Sequence, residues 1–154
     1  MARSGARWTA MKARRDVKIE HLREVPLFDG CSDDELRRAA RLADEIAVPA
    51  GYVLVFEGDW GGEVFIVADG EARVTVGGLT LADLGAGTVV GGVAALPRPR
   101  MATVTALSPM RLFVFDRDTF EDLLVGVPAV ARRVLADETW RELTDSAHAP
   151  MVTA

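Results

Sequence analysis

Val64-Phe65-Ile66-Val67-Ala68-Asp69-Gly70-Glu71-Ala72-Arg73-Val74-Thr75-Val76 is the stretch on which the fold turns. Two runs rich in β-branched and aromatic residues meet at Asp69-Gly70, a pair suited to a tight turn between strands. The second run stops at Gly77-Gly78. The same pattern repeats outward in both directions. Residues 46–48 precede Pro49-Ala50-Gly51, and 52–56 precede Gly58-Asp59 and Gly61-Gly62. Residues 79–84 end at Gly85, Val104 and Ala106 resume the pattern, and 112–115 close it. Roughly seven or eight short strands, with turn signals about every 8–12 residues, predict a sandwich or small barrel. The strands do not alternate with long helices, which argues against a doubly wound α/β fold.

Helical spacing flanks this β region. Ser32 is a good N-cap, and Glu35 three residues later completes a capping box. Leu36, Ala39, Ala40 and Ala43 then recur at helical spacing, predicting an amphipathic helix over 33–43 with Arg37, Arg38 and Arg41 in solvent. Beyond Asp116, either Asp118 or Thr119 is placed to cap a short helix through Phe120, Leu123 and Leu124, ended by Gly126. Pro128 suits the first turn of a last helix reaching about Leu143. Its apolar positions are Val130, Val134, Trp140 and Leu143. The chain reads as a mainly β body over 20–146, one helix before it and two after, between a basic tail (1–19) and a short C-terminal tail (147–154).

Composition narrows the function. The chain has 154 residues, 49% of them hydrophobic, and a formal net charge of −5. That length forms one domain with a sizeable core. Seven basic residues (Arg3, Arg7, Lys12, Arg14, Arg15, Lys18, Arg23) against three acids fall within 1–25, so the rest is strongly acidic. An acidic body lacks the basic face a nucleic-acid backbone requires. Cys31 is the only cysteine, leaving no disulfide framework and no thiolate metal site. The only histidines, His21 and His148, lie at opposite ends, which removes the metal-dependent enzyme reading of a β-roll. Ser32 and Ser108 have no histidine at useful spacing for nucleophilic catalysis. No apolar run is long enough for a membrane span, and the start lacks a secretory apolar centre, so the expectation is a cytoplasmic protein that is not an enzyme.

The candidate site is Gly85-Ala86-Gly87-Thr88-Val89-Val90-Gly91-Gly92-Val93-Ala94-Ala95-Leu96-Pro97-Arg98-Pro99-Arg100. Glycines let backbone N–H groups crowd together and approach a ligand closely. The apolar run 93–96 is long enough for one helical turn, whose start presents free N–H groups to an anion. Arg100 follows at a distance that lets it reach back over the same spot. The stretch therefore reads as a pocket for one phosphate, and the same spacing also fits a plain glycine–proline loop.

These phrases, in this order, resemble the cyclic-nucleotide-binding domain of catabolite-activator-type regulators and of protein kinase A regulatory subunits. The resemblance covers roughly residues 20–140. It rests on Leu27-Phe28 with Ser32-Asp33-Asp34-Glu35-Leu36, on Phe56-Glu57-Gly58-Asp59, and on Val64-Phe65-Ile66-Val67 with Gly70-Glu71-Ala72. It continues through Pro109-Met110-Arg111-Leu112 and 116–120. It implies a double-stranded β-helix (jelly roll) with an N-terminal helix and two C-terminal helices. The family's phosphate cassette, Phe-Gly-Glu-Leu-Ala-Leu and then Pro-Arg-Ala-Ala-Thr-Val, falls on 90–95 and 99–104. The resemblance implies phosphate contacts from Arg100 and from the backbone of Gly91, Gly92 and Val93, with Met101 beside them and Trp140 as a cap over the base.

Two positions depart from that pattern. Gly92 stands where the family places the glutamate that accepts from the ribose hydroxyl, and Met101 stands where a small or hydroxyl residue is usual. Asp83 lies before the glycines and Glu63 belongs to another strand, so neither is expected to substitute. A charge-assisted hydrogen bond is worth about 1.5–3 kcal/mol, on the order of tenfold to a hundredfold in affinity. The reading is a stand-alone regulatory module that binds cAMP or cGMP weakly or in an altered way. The alternative is a degenerate sensor that serves as an interaction or dimerisation domain without nucleotide. No cofactor or metal is expected. The implied partners are a separate effector protein and a second copy through the C-terminal helix; a helix-turn-helix DNA-binding domain is not expected in the few residues after that helix.

Overall fold

The computed structural model describes residues 15–91 and 99–136. Readings that fall on Gly92, Val93, Trp140, Leu143 and the C-terminal tail lie outside those residues.

Among the described residues eight strands form the body: β1 (Asp44–Val48), β2 (Val53–Val55), β3 (Val64–Asp69), β4 (Ala72–Val76), β5 (Leu79–Leu84), β6 (Val89–Val90), β7 (Thr103–Ala106) and β8 (Met110–Phe115). They make two antiparallel four-stranded sheets, ordered β1-β8-β3-β6 and β2-β7-β4-β5. Consecutive strands repeatedly cross from one sheet to the other, giving the jelly-roll architecture expected from the sequence.

Residues 64–67 and 112–115 are apolar without interruption because their sheet is covered on both faces. Val64, Ile66, Phe113 and Phe115 point into the cluster shared with the helices. Their neighbours Phe65, Val67, Leu112 and Val114 point into the space between the sheets. The register pairs Val64 with Phe115 and Ile66 with Phe113, so each face stays in step across β3 and β8.

Among the described residues four helices cover the first sheet: α1 (Arg15–Arg23), α2 (Asp33–Leu42), α3 (Arg117–Gly126) and α4 (Pro128–Ala136), with a 3₁₀ turn at Pro26–Phe28. The α2 start is the expected capping box: Ser32 Oγ accepts from the Glu35 N–H at 3.1 Å, and Glu35 Oε1 accepts from the Ser32 N–H at 2.8 Å. At α3 the cap is Asp116, neither Asp118 nor Thr119. Asp116 Oδ1 accepts from the Thr119 N–H at 2.8 Å, and Thr119 Oγ1 accepts from the Asp116 N–H at 3.0 Å. The described part of α4 starts at Pro128 and buries Val130 and Val134.

Helix α1 begins inside the stretch read as a basic tail. Lys18 is 3% exposed and its Nζ donates to the Ala40 and Ala43 carbonyls, each at 2.8 Å. Those carbonyls close the C-terminal end of α2, where a cation is favoured and acceptors need donors. One turn on, His21 Nδ1 contacts Glu45 Oε2, a carboxylate only 2% exposed, with Arg111 Nε 3.7 Å away. The imidazole and the Arg111 guanidinium thus meet the one buried acid of β1.

Candidate functional site

Strand β6 is followed by Gly91, which is buried and has φ of +81°. A side chain there would be strained, so the chain can leave the sheet at this point only through glycine. Arg100 stands three residues before the start of β7.

Arg100 is the pivot of the site. It is 5% exposed, and a buried guanidinium must be hydrogen-bonded. Its Nη2 donates to the Glu63 carbonyl oxygen at 2.7 Å. Its backbone is held on both sides by the turn between β2 and β3. The Arg100 N–H donates to the Asp59 carbonyl and the Gly58 N–H donates to the Arg100 carbonyl, each at 2.8 Å. Gly61 makes the approach possible. A Cβ at that position would lie 2.7 Å from Arg100 Nε and 2.8 Å from Nη2, closer than any real contact.

The same turn is tied down from below. Thr103 Oγ1 accepts from the Glu57 N–H at 3.1 Å and donates to Glu57 Oε1 at 2.9 Å. The Glu57 carboxylate also accepts from the Gly77 N–H at 3.2 Å, at the tip of the β4–β5 hairpin. One acid thereby joins β7, the β2–β3 turn and the hairpin.

Above this turn opens a cavity of about 670 Å³. Its described walls are β2 from Gly51 to Phe56, the turn residues Asp59, Trp60, Gly61 and Glu63, and Arg100. That volume suits a small organic molecule. Glu63, set aside in the sequence as a residue of another strand, shares the cavity with Arg100, and so does Asp59. Strand β3 starts beside β7's entry, a juxtaposition of residues 37 positions apart that spacing does not reveal. Asp83 is engaged elsewhere: it pairs with Arg73 at 2.9 and 3.2 Å, and hydrogen bonding to that guanidinium holds its carboxyl below the usual range. Met101 is 41% exposed and is not among the described walls of the cavity. The backbone turn after Gly91 and the cap at Trp140 fall on residues 92, 93 and 140, outside the described residues. Gly61, Glu57 and Thr103 were not singled out in the sequence as site residues. Among the described residues no cluster of His, Cys, Asp and Glu could hold a metal, and no helix is long and apolar enough to cross a membrane.

Residues 45–126 match the family model of the cyclic nucleotide-binding domain, and the chain belongs to that family. It is 33% identical over 114 residues to a cAMP-dependent protein kinase regulatory subunit of Yarrowia lipolytica, covering 72% of this chain and 30% of the relative. Among solved structures it resembles the catabolite activator protein of Thermus thermophilus, with 30% identity and a TM-score of 0.62 over 75% of this chain and 57% of that one. It also resembles a cAMP-binding acyltransferase of Mycobacterium smegmatis, with 26% identity and a TM-score of 0.72 over 84% of this chain and 42% of that one. The matched part spans between a tenth and a third of the curated relatives' length. The chain is thus a cyclic nucleotide-binding regulatory domain of the jelly-roll type.

Proposed function

We propose that the domain senses a cyclic nucleotide, with Arg100 as the phosphate partner and the backbone of Gly91, Gly92 and Val93 as donors around it. The observation that carries this reading is the buried Arg100, fixed by the β2–β3 turn in the wall of a cavity of about 670 Å³. Names of relatives supply the first ligand to try, cAMP, with cGMP second. Affinity is low, because Gly92 offers no carboxylate to the ribose hydroxyl and a lost charge-assisted bond costs on the order of tenfold to a hundredfold. Trp140 closes over the base, and the last helix carries the change to a separate effector protein in the cytoplasm. The module itself does no chemistry.

Isothermal titration with cAMP and cGMP tests the proposal. The expected result is saturable heat that Arg100→Ala removes. No heat at millimolar ligand, or equal binding by Arg100→Ala, would sink it.

Gly92 also favours a second reading, a domain that keeps the fold as an interaction or dimerisation module, pairing through its C-terminal helix. Leu135 on α4 is 59% exposed, an apolar side chain available to a second copy. If Gly92→Glu creates nucleotide binding where the parent has none, this second reading gains; micromolar binding by the parent defeats it.

A further inference from the structure

The rim of the cavity carries two aromatic side chains that the fold leaves in water. Phe56 is 55% exposed and Trp60 is 69% exposed, and both line the same cavity as Arg100. Tryptophan is highly buried on average, so an indole left this open beside a cavity is informative. Neither ring is carried on a loose segment. The Asp59 N–H donates to the Phe56 carbonyl at 3.1 Å, closing the turn that bears both rings. The two backbone bonds to Arg100 and the Glu57–Thr103 pair fix that turn against β7. Trp60 also directly precedes Gly61, the residue over which the guanidinium lies, so their Cα atoms are about 3.8 Å apart.

An exposed π-face carried on a fixed turn and a buried guanidinium on one cavity fit a ligand with a planar ring and an anionic group. We infer that Trp60 is the stacking platform for the base of the nucleotide, with Phe56 beside it, an affinity-giving role that rests on the nucleotide reading above. Because the backbone of the turn is already held, binding need order only the side chain. Stacking compensates in part for the carboxylate that Gly92 lacks. It also makes the site tolerant of which purine it takes, since every base offers a π-face.

The test compares the full chain with Trp60→Ala and Trp60→Phe by isothermal titration, using cAMP and ribose 3′,5′-cyclic phosphate, which lacks the base. Trp60→Ala is expected to weaken cAMP about tenfold, and Trp60→Phe to restore most of the loss. The baseless compound is expected to bind all three proteins equally. Thermal unfolding checks that the exposed substitutions leave the fold intact. Unchanged cAMP affinity in Trp60→Ala, with binding still dependent on Arg100, overturns the platform and leaves the nucleotide reading standing. Equal weakening of the baseless compound overturns it too, because the residue would then act on the turn. No binding of cAMP by the parent overturns the nucleotide reading and the platform with it.

Discussion

The Thr103 hydroxyl bonds twice to Glu57, donating to its carboxylate at 2.9 Å and accepting from its N–H at 3.1 Å, across 46 residues of chain. This pair decides where the β2–β3 turn sits, and the turn in turn decides where Arg100 sits. Thr103 is 9% exposed, and removing its hydroxyl takes the acceptor from the half-buried Glu57 N–H and one donor from the Glu57 carboxylate. Thr103→Val keeps the shape of the side chain and should cost about 1–3 kcal/mol of stability. Urea unfolding measures this, and a loss within error of zero would show that the turn is held by backbone bonds alone.

Gly61 allows a cleaner dissection of the site. Gly61→Ala places a Cβ 2.7 Å from Arg100 Nε, and the guanidinium has to move. Gly62→Ala meets nothing within 4 Å. The expected outcome is about tenfold weaker nucleotide binding for the first and no change for the second, with both proteins folded. A displaced charge-assisted bond of about 1.5 kcal/mol accounts for that factor. Titration calorimetry on the pair separates a positioning effect from a general loss of fold, and equal affinities would refute it.

Glu45 is the acid against which α1 is pinned. Glu45→Ala leaves the half-buried imidazole of His21 and the guanidinium of Arg111 without their shared partner. Both side chains retain access to water, so the cost falls below that of a fully enclosed pair, about 2–3 kcal/mol. Chemical denaturation at neutral pH checks it. Amide exchange in 15–23 should quicken more than exchange in β4.

Cys31 gives a pH dependence of defined sign. Burial, then the nearby Glu35 carboxylate, raise its thiol above the ordinary value of 9.0. A folded-state value above the unfolded one means that the neutral thiol is favoured by folding. Its contribution is therefore complete below pH about 8.5–9 and declines as pH climbs through and beyond that range. Alkylation, which needs the thiolate, should run slower at pH 8 in the folded protein than in urea. Cys31→Ser should flatten the stability profile between pH 8 and 10, and a profile identical to the parent's would count against this assignment.

What could be read from the sequence was local. Ser32 and Glu35 stand three apart and form the capping box they suggest, and the uninterrupted apolar runs at 64–67 and 112–115 are the strands buried on both faces. The α3 cap was misplaced because its box uses Thr119, where glutamate or glutamine is the usual signature, so Asp116 does not stand out. Strand β6 has two residues and therefore no period to detect. The site was half legible for the same reason. Glycines and an arginine in one stretch announce an anion site. By contrast, the Glu63 carbonyl, the Gly61 vacancy and the Glu57–Thr103 pair reach it from sequence positions tens of residues away.

Lys18 has a practical consequence for where this domain can be cut. A fragment beginning at residue 20 looks reasonable from composition, since it discards only a basic leader. It also discards the ammonium group that satisfies two interior carbonyls at the end of α2. Such a fragment should express poorly or be nicked readily by protease near residues 40–43, whereas one beginning before residue 15 keeps α1 and should resist. The Lys18→Met protein distinguishes charge from mere length: it retains the helix, loses the donors, and should unfold about 2–4 kcal/mol more easily. The usable N-terminal boundary is set by a side chain reaching back into the core, well upstream of the first residue that looks like one.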